Sequence, residues 1–257
     1  MNYFKLIYYD YFAPNRLNIL EKIYIEALNS GYKIVSVIDF WDLVRSNKLN
    51  VKDKYLINRH DIDSDPKCAK LILQIEKNLG ISSSYYFRLS TIDLSLIKSI
   101  TASGCEVGYH YEELATLAYK YKWKKKTDIN WNLTRELFNK NFTNFKNLTG
   151  YEVRSICSHG DFINRFLNIP NHKIISEKLK KDLKIDIEVY EDAIWKYNSI
   201  QHSDIHSKCG FVPYSPITSI KQSLPIIHLL THPRQLRVNW KENTIQNIDR
   251  IYRGIFF

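Results

Sequence analysis

Apolar residues recur along this chain in two patterns, helical spacing and short continuous runs. Leu20, Ile23 and Ala27 share one face of a helix predicted over residues 16–29, and Gly31 follows as its stop. The same spacing predicts further helices over residues 66–79, 92–103, 131–148 and 243–252. The first of these is predicted to begin with Asp65 as N-cap and Pro66 at its first position. Apolar and β-branched runs predict strands over residues 33–37, 55–57, 83–87, 105–109, 153–157 and 224–230.

Between residues 55 and 109 the predicted order is strand, helix, strand, helix, strand. Two consecutive strand–helix–strand units imply parallel strands, and therefore an α/β fold that is layered or closed into a barrel. The sequence has no internal repeat and no linker rich in Gly, Ser or Pro, which indicates one domain over residues 1–257. Residues 162–222 show a weaker pattern, and Asp204 within them is either a further site residue or a turn residue.

Ionisable side chains directly follow four of the predicted strands. Asp61 and Asp63 come after the strand at 55–57, and His110, His159 and His232 come after later strands. Because the carboxyl ends of parallel strands lie at one rim of the fold, we expect these side chains to meet there.

Aspartate and histidine are ligands that Zn²⁺ and similar divalent ions accept. Three such ligands with an open position make a catalytic site, and a further carboxylate beside it acts as a base. In an extended segment Asp61 and Asp63 lie on the same face, so one would bind the ion and the other would be the base. The alternative is that both only cap the next helix. Ordinary packing is assigned to four further histidines, which are His60, His202, His206 and His228. Of these, His60 is also a candidate partner behind the site.

Charge adds a preference for anionic partners. Lys and Arg outnumber Asp and Glu by 37 to 27, which gives the chain a net charge of +10. This excess favours nucleic acid, acidic lipid or phosphorylated sugar carriers, unless the lysines only cover the surface. The densest stretch, Lys120–Lys126, interleaves aromatic and cationic residues as single-strand nucleic-acid binders do, and it equally fits a solvated helix start.

The cysteines indicate core residues. Cys68, Cys105, Cys157 and Cys209 contain no Cys-x-x-Cys pair, which excludes a zinc ribbon. The first three have apolar surroundings, as small core residues do in a reducing compartment. The N-terminal apolar run is too short for a signal peptide, and no stretch of 18 apolar residues occurs. We therefore expect a cytoplasmic protein with, at most, peripheral contact to a membrane.

Four segments resemble, in the same order, motifs of the polysaccharide deacetylases of the NodB-homology type. They are Arg59–Asp63 with the following Asp-x-Asp-Pro start of a helix, Ser84–Arg88, Gly104–His110 and Leu229–Pro233. The resemblance covers about residues 56–235. It implies a distorted (β/α) barrel with parallel strands, a divalent metal that is most often zinc, and hydrolysis of N-acetyl or O-acetyl groups on sugars.

Residue roles follow from this resemblance by position. Asp61 matches the base, Asp63 the metal-binding carboxylate, His110 the first metal-binding histidine, and His232 the general acid for the departing amine.

One departure leaves the third metal ligand open. The family's second metal-binding histidine corresponds to Leu114, which cannot bind a metal. We assign His159 as the substitute, with Glu113 as the alternative. The family's Arg-x-Pro-Tyr motif is also absent, and Ser158–Asp161 stands in that region. These features resemble a divergent branch that is often tied to surface-polysaccharide biosynthesis.

The predicted function is a metal-dependent hydrolase that removes an N-acyl group, most simply acetyl, from an intracellular sugar precursor. The precursor would be nucleotide-linked or lipid-linked, and no nucleic-acid partner is expected. Two alternatives stay open. One is a deacetylase-like barrel with altered chemistry, acting on a formyl or imidate C–N bond or binding without a metal. The other is an anion- or nucleic-acid-binding module that uses Lys120–Lys126.

Overall fold

Strands alternate with helices through most of the chain. A computed structural model describes residues 3–50, 52–204 and 210–256. The strands are β1 Tyr32–Val35, β2 Lys54–Ile62, β3 Ser84–Phe87, β4 Glu106–Tyr111, β5 Ser155–Ser158, β6 Ile187–Glu188, β7 Ile200–Ser203 and β8 Ile226–Thr231. The helices are α1 Tyr3–Tyr11, α2 Leu17–Asn29, α3 Val37–Arg45, α4 Pro66–Leu79, α5 Leu94–Ala102, α6 Glu113–Tyr121, α7 Trp131–Thr149, α8 Phe162–Leu167, α9 Glu177–Leu183, α10 Asp192–Trp195, α11 Pro216–Lys221, α12 Pro233–Leu236 and α13 Trp240–Phe256. Short 3-10 turns cover Leu89–Thr91, Lys126–Asp128 and Asn171–Ile174.

These strands form one eight-stranded sheet in which every ladder is parallel. The order is β6-β5-β4-β3-β2-β8-β7, and β1 also pairs with β2. β2 is the centre of the sheet, because its start pairs with β1, its end with β3 and its other edge with β8. The predicted parallel strands are confirmed.

The sheet curls, so that side chains of distant strands meet on its inner face. Arg59 of β2 contacts Cys157 of β5 although β3 and β4 lie between them. Ile57, Tyr86 and Ile187, from three different strands, belong to one inner apolar cluster. In the part of the chain that the structure describes, β6 and β7 have no further strand beside them, so the barrel is open there. This open, distorted (β/α) barrel confirms the predicted NodB-type fold.

Alternation along the strands separates the core from the site. Successive side chains of a strand point to opposite faces. In β4, Val107 and Tyr109 pack outward in one cluster with Phe138 and Phe142 of α7. His110 points to the inner face, where it approaches the carboxylate of Asp61. The outward face therefore stabilises the barrel, and the inward face at the strand ends is left for chemistry.

Each predicted strand and helix is present, with its ends shifted by a few residues. The strand predicted over residues 55–57 continues to Ile62, because the buried charges of Arg59 and Asp61 neutralise each other within it. α4 begins at Pro66 as predicted. However, the Asp65 side chain does not cap α4 and accepts a hydrogen bond from Asn239 instead. The weakly patterned residues 162–222 contain β6, β7 and α8 to α11.

Cys68, Cys105 and Cys157 are buried free thiols, as their apolar surroundings predict. Cys209 and His206 lie outside the described residues. Among the helices that the structure describes, none combines the length and the apolar character needed to cross a bilayer.

Candidate metal centre

Three predicted metal ligands converge at the carboxyl ends of the strands. Asp63 follows β2, His110 lies in β4, and His159 follows β5. His110 Nε2 lies 3.1 Å and His159 Nε2 3.5 Å from the same atom, Asp63 Oδ1. One donor atom from each residue lies within 4.8 Å of the other two, and the two imidazole rings are perpendicular. The sheet order thus brings distant segments of the chain around one point.

The hydrogen bonds of His110 show why a cation fits this point. His110 Nδ1 is 3.0 Å from the carbonyl oxygen of Cys157. A carbonyl only accepts, so Nδ1 carries the proton, and in the neutral imidazole Nε2 turns a lone pair toward Asp63. Asp63 Oδ1 is buried and receives no well-aligned hydrogen bond from the described residues. Two electron-rich atoms that face each other in this way suit a shared divalent cation.

His159 has the protonation state that a metal ligand needs. Burial lowers its pKa below the usual value, and this outweighs the attraction of Asp63. The imidazole is therefore neutral at pH 7, as coordination requires. Its Nδ1 lies 3.7 Å from Glu112 Oε2, beyond hydrogen-bond distance, and Arg88 holds that carboxylate with a bidentate pair of hydrogen bonds. The ion pair of Arg88 with Glu112 thus lies behind the His159 ring.

Glu113, the alternative third ligand, points elsewhere. Its carboxylate accepts hydrogen bonds from Tyr109 and from Asn141 of α7, on the outer side of the sheet. Leu114 is likewise buried in the outer core. Among the described residues, one other group has ligand spacing, namely Asp61, His110 and Cys157. Burial raises the pKa of the Cys157 thiol well above its usual value, which disfavours the thiolate that would bind a metal.

Asp61 lies beside this cluster but is held by a guanidinium. Arg59 Nε and Nη2 donate to its two carboxylate oxygens at 2.8 and 2.6 Å, and both residues are buried. Burial alone would raise the pKa of Asp61, but the charge of the adjacent Arg59 guanidinium lowers it to about 2. Asp61 is therefore an ionised acceptor whose position is fixed.

His232 forms an ion pair with Asp204, the residue that follows β7. Its Nδ1 donates to Asp204 Oδ1 at 2.6 Å, and its backbone N–H donates to Oδ2 at 2.8 Å. Burial disfavours the charged ring, but the carboxylate of Asp204 outweighs it and raises the pKa of His232 to about 9. The ring is protonated at pH 7, and its Nε2 lies 3.9 Å from Asp63 Oδ2. It is thus a proton donor at the edge of the cluster.

The comparisons with known proteins find similarity of structure only. No family model and no curated protein matches the chain. The chain is similar to the deacetylase PplD of Streptococcus pyogenes at 10% identity, covering 87% of this chain and 88% of that one with a TM-score of 0.49. It is similar to IcaB from Ammonifex degensii at 13% identity, covering 67% and 74% with a TM-score of 0.47. A carbohydrate esterase family 4 pseudoenzyme from Bacillus anthracis matches at 14% identity, covering 79% and 66% with a TM-score of 0.46.

Three residues of the site have no role assigned from the sequence. Arg59 stands inside the first motif, Glu112 lies two residues after the Gly104–His110 motif, and Asp204 lies in the weakly patterned region. Arg59 could have been found from its spacing, because residues two apart on a strand share a face. Asp204 follows a short strand in the same way as the other site residues, but no long apolar run marks β7.

Three further histidines, all buried, do not join the ligand cluster. His60 points to the outer face of β2, where Glu76 and Thr231 bond its two ring nitrogens. His202 bonds Ser219, and His228 lies near Asn198 inside the barrel. Burial lowers the pKa of His228 to about 3, so it is a neutral packed ring.

Proposed function

We propose that this chain is a metal-dependent hydrolase that removes an N-acyl group, most simply acetyl, from a sugar precursor in surface-polysaccharide biosynthesis. The observation that carries the proposal is the convergence of His110 and His159 on one oxygen of Asp63. A charged acceptor, Asp61, and a charged donor, His232, flank this cluster. Metal-assisted amide hydrolysis uses a bound ion, a base for the water and an acid for the leaving amine, and this set of groups supplies them.

Asp63, His110 and His159 would hold a divalent ion, with Zn²⁺ the best match to two imidazoles and one carboxylate. When bound, the ion would polarise the acyl carbonyl and make an attacking water more acidic. Asp61 would take a proton from that water, which adds to the carbonyl carbon. His232 would give its proton to the nitrogen as the C–N bond breaks, so that the products are a carboxylate and an amine.

Two neighbours keep these groups in their working charge states. Arg59 keeps Asp61 ionised and correctly placed, and Asp204 keeps His232 protonated. The substrate would be a cytoplasmic nucleotide-linked or lipid-linked sugar, because its phosphates would complement the net charge of +10.

The test measures acid release from N-acetylated nucleotide-linked and lipid-linked sugars, with the metal content measured on the same protein. We expect about one zinc per chain, and activity that a chelator removes and Zn²⁺ restores. His110→Ala and Asp63→Asn should lose about a thousandfold in rate. Glu113→Gln is the matched control and should keep both metal and activity. Release that is unaffected by the chelator or by His110→Ala would overturn the proposal.

A further inference from the structure

The helix α13 turns its polar side toward the protein and its apolar side toward solvent. Asn243 is buried and donates to the backbone oxygen of Asp10, and Asn247 donates to the Asp10 carboxylate. On the opposite side Ile245 is exposed, and Ile248 keeps 62% of its surface accessible. This reverses the usual arrangement, in which a surface helix buries its apolar stripe.

α1 shows the same reversal and contacts α13. Its Asp10 is buried and accepts a hydrogen bond from Arg234, whereas Phe4 is 82% exposed. Tyr11 contacts Thr244 and Asn247, so the two helices lie side by side. We call their shared outer surface the α1–α13 face; its main residues are Phe4, Ile7, Trp240, Ile245, Ile248 and Tyr252.

An exposed surface of this kind indicates a binding partner. Single exposed apolar residues are common on soluble proteins, but a contiguous group of large ones marks an interaction site. The α1–α13 face combines isoleucine with phenylalanine, tryptophan and tyrosine. Aromatic and branched aliphatic side chains of this kind are typical of helices that lie in the interface of a bilayer.

The polar side of α13 lies next to the metal centre, and the α1–α13 face is on the other side of the same helix. Gln246 of α13 donates to the backbone oxygen of the ligand Asp63 at 3.4 Å. Asn239, just before α13, donates to Asp65 at 2.9 Å. A partner bound to the α1–α13 face is therefore close to the opening of the barrel.

A cationic segment lies beside α8, the helix that follows β5. Lys120–Lys126 contains five lysines, and Lys124 Nζ lies 6.0 Å from the centre of the Phe166 ring. Phe166 and Phe162 belong to α8, which begins shortly after the ligand His159, and both rings are exposed. Lysines beside exposed aromatic rings suit the headgroup region of an anionic membrane.

We propose that the α1–α13 face docks on an anionic phospholipid bilayer, with Lys120–Lys126 against the headgroups, so that the metal centre meets a lipid-linked sugar. The net charge of +10 favours a bilayer over a second copy of the chain, because two copies repel each other and an anionic surface attracts. The choice of substrate rests on the proposed function, whereas the docking itself does not.

The docking test uses the whole chain with vesicles of phosphatidylcholine alone or of equal parts phosphatidylcholine and phosphatidylglycerol. Co-sedimentation should show binding to the anionic vesicles. The double variant Ile245→Ser/Ile248→Ser should weaken it by about tenfold or more. Lys125→Gln/Lys126→Gln should weaken it by roughly tenfold on anionic vesicles only. Ile25→Ser, an exposed isoleucine of α2, is the matched control and should bind like wild type.

A second measurement does not depend on mutant stability. Brominated lipids should quench the fluorescence of Trp240, which is 69% exposed, and Trp240→Phe should remove that part of the quenching. Failure to bind anionic vesicles, or equal binding by the Ile245→Ser/Ile248→Ser variant, would overturn the proposal. A wild-type dimer in light scattering that this variant dissociates would also overturn it, because a second copy would then cover the face.

Kinetics separate this inference from the proposed function. Ile245→Ser/Ile248→Ser should lower kcat/KM for an N-acetylated sugar lipid in vesicles by about tenfold or more, and leave a water-soluble N-acetylated sugar unaffected. Release from the soluble sugar without vesicle binding would overturn only the docking. Vesicle binding without release from either substrate would overturn only the proposed hydrolysis.

Discussion

At the scale of single residues, Asp61 and Asp63 carry the same carboxylate and differ only in their surroundings. Burial raises the pKa of both groups, and nearby cationic or partly charged groups lower it again. Both oxygens of Asp61 are occupied by Arg59, which makes it a poor metal ligand and a fixed base. Asp63 instead faces two imidazoles. The environment therefore divides two roles between neighbouring identical residues.

The ion pair of His232 with Asp204 predicts a pH effect. In Asp204→Asn the anion that holds the pKa of His232 at about 9 is lost, so the ring loses its proton at lower pH. The alkaline limit of acyl release should fall by more than about one pH unit, and the rate near pH 8 by about ten- to a hundredfold. Rates over a pH series check this. Asp182→Asn, an exposed carboxylate, is the control, and an Asp204→Asn profile that matches it would contradict the prediction.

Glu188 predicts a pH dependence of stability that is separate from the metal centre. Burial raises its pKa from 4.5 to about 7, although Tyr111 and two backbone N–H groups bond it. The contribution of Glu188 to the free energy of unfolding is therefore fully present below pH 4.5. It is lost as the pH rises through 7, which lowers the free energy of unfolding by about 3 kcal/mol. Urea unfolding at about pH 5 and pH 8 should show a smaller fall in the free energy of unfolding for Glu188→Gln than for wild type. An equal fall in the free energy of unfolding for wild type and Glu188→Gln would refute this prediction.

At the scale of secondary-structure elements, close packing of three strands sets the inner face of the barrel. Tyr86 of β3 lies across Gly108 of β4, and its hydroxyl bonds the Ser155 hydroxyl of β5. A side chain at position 108 would collide with the Tyr86 ring and lie 2.9 Å from the backbone oxygen of Ser155. Glycine is therefore required at position 108 because there is no room for a side chain. Backbone conformation is not the reason, because the φ of Gly108 is not in the left-handed region.

Gly108→Ala should lower the free energy of unfolding by about 1–3 kcal/mol, because the buried Tyr86 ring has to move. Denaturant unfolding of the metal-free protein measures the change. Gly160→Ala is the control, since nothing lies within 4 Å of a side chain added there. Equal free energies of unfolding for the two variants would contradict the prediction, because β3 and β4 would then move apart without a loss of stability.

At the scale of the whole molecule, the metal centre joins segments that are far apart in the sequence. Its three candidate ligands come from the ends of β2, β4 and β5, and the open barrel brings them together. A metal that binds only the folded chain stabilises it by mass action. Metal binding and global stability should therefore be coupled.

Zn²⁺ at about a hundred times its dissociation constant should stabilise the fold by about 2.7 kcal/mol and raise Tm by roughly 5–10 °C. Scanning calorimetry with and without Zn²⁺ measures this shift. Asp63→Asn and His159→Ala should lose most of it, and Glu113→Gln should keep it. The reverse pattern for His159 and Glu113 would make Glu113 the third ligand.

Much of this architecture is predictable because the underlying signals are local. Helical spacing, strand composition and the Asp-Pro helix start depend on neighbouring residues, and they predict the elements to within a few positions. β6 is missed because it has only two residues, and β7 is missed because three of its four residues are polar and form no apolar run. The prediction that the Asp65 side chain caps α4 is wrong, because a distant side chain, Asn239, bonds that carboxylate instead.

The polar ends of the strands are likewise visible along the chain, and with them the residue types of a metal-binding hydrolase. Three-dimensional packing decides which of those residues meet. His159 faces Asp63, because the curl of the sheet brings β5 toward β2. Glu113 does not, because it begins α6 and is bonded by Tyr109 and Asn141 on the outer face. Likewise, only parallel pairing of β7 with β8 puts Asp204 beside His232, since contacts between distant segments depend on register and curvature that no local pattern contains.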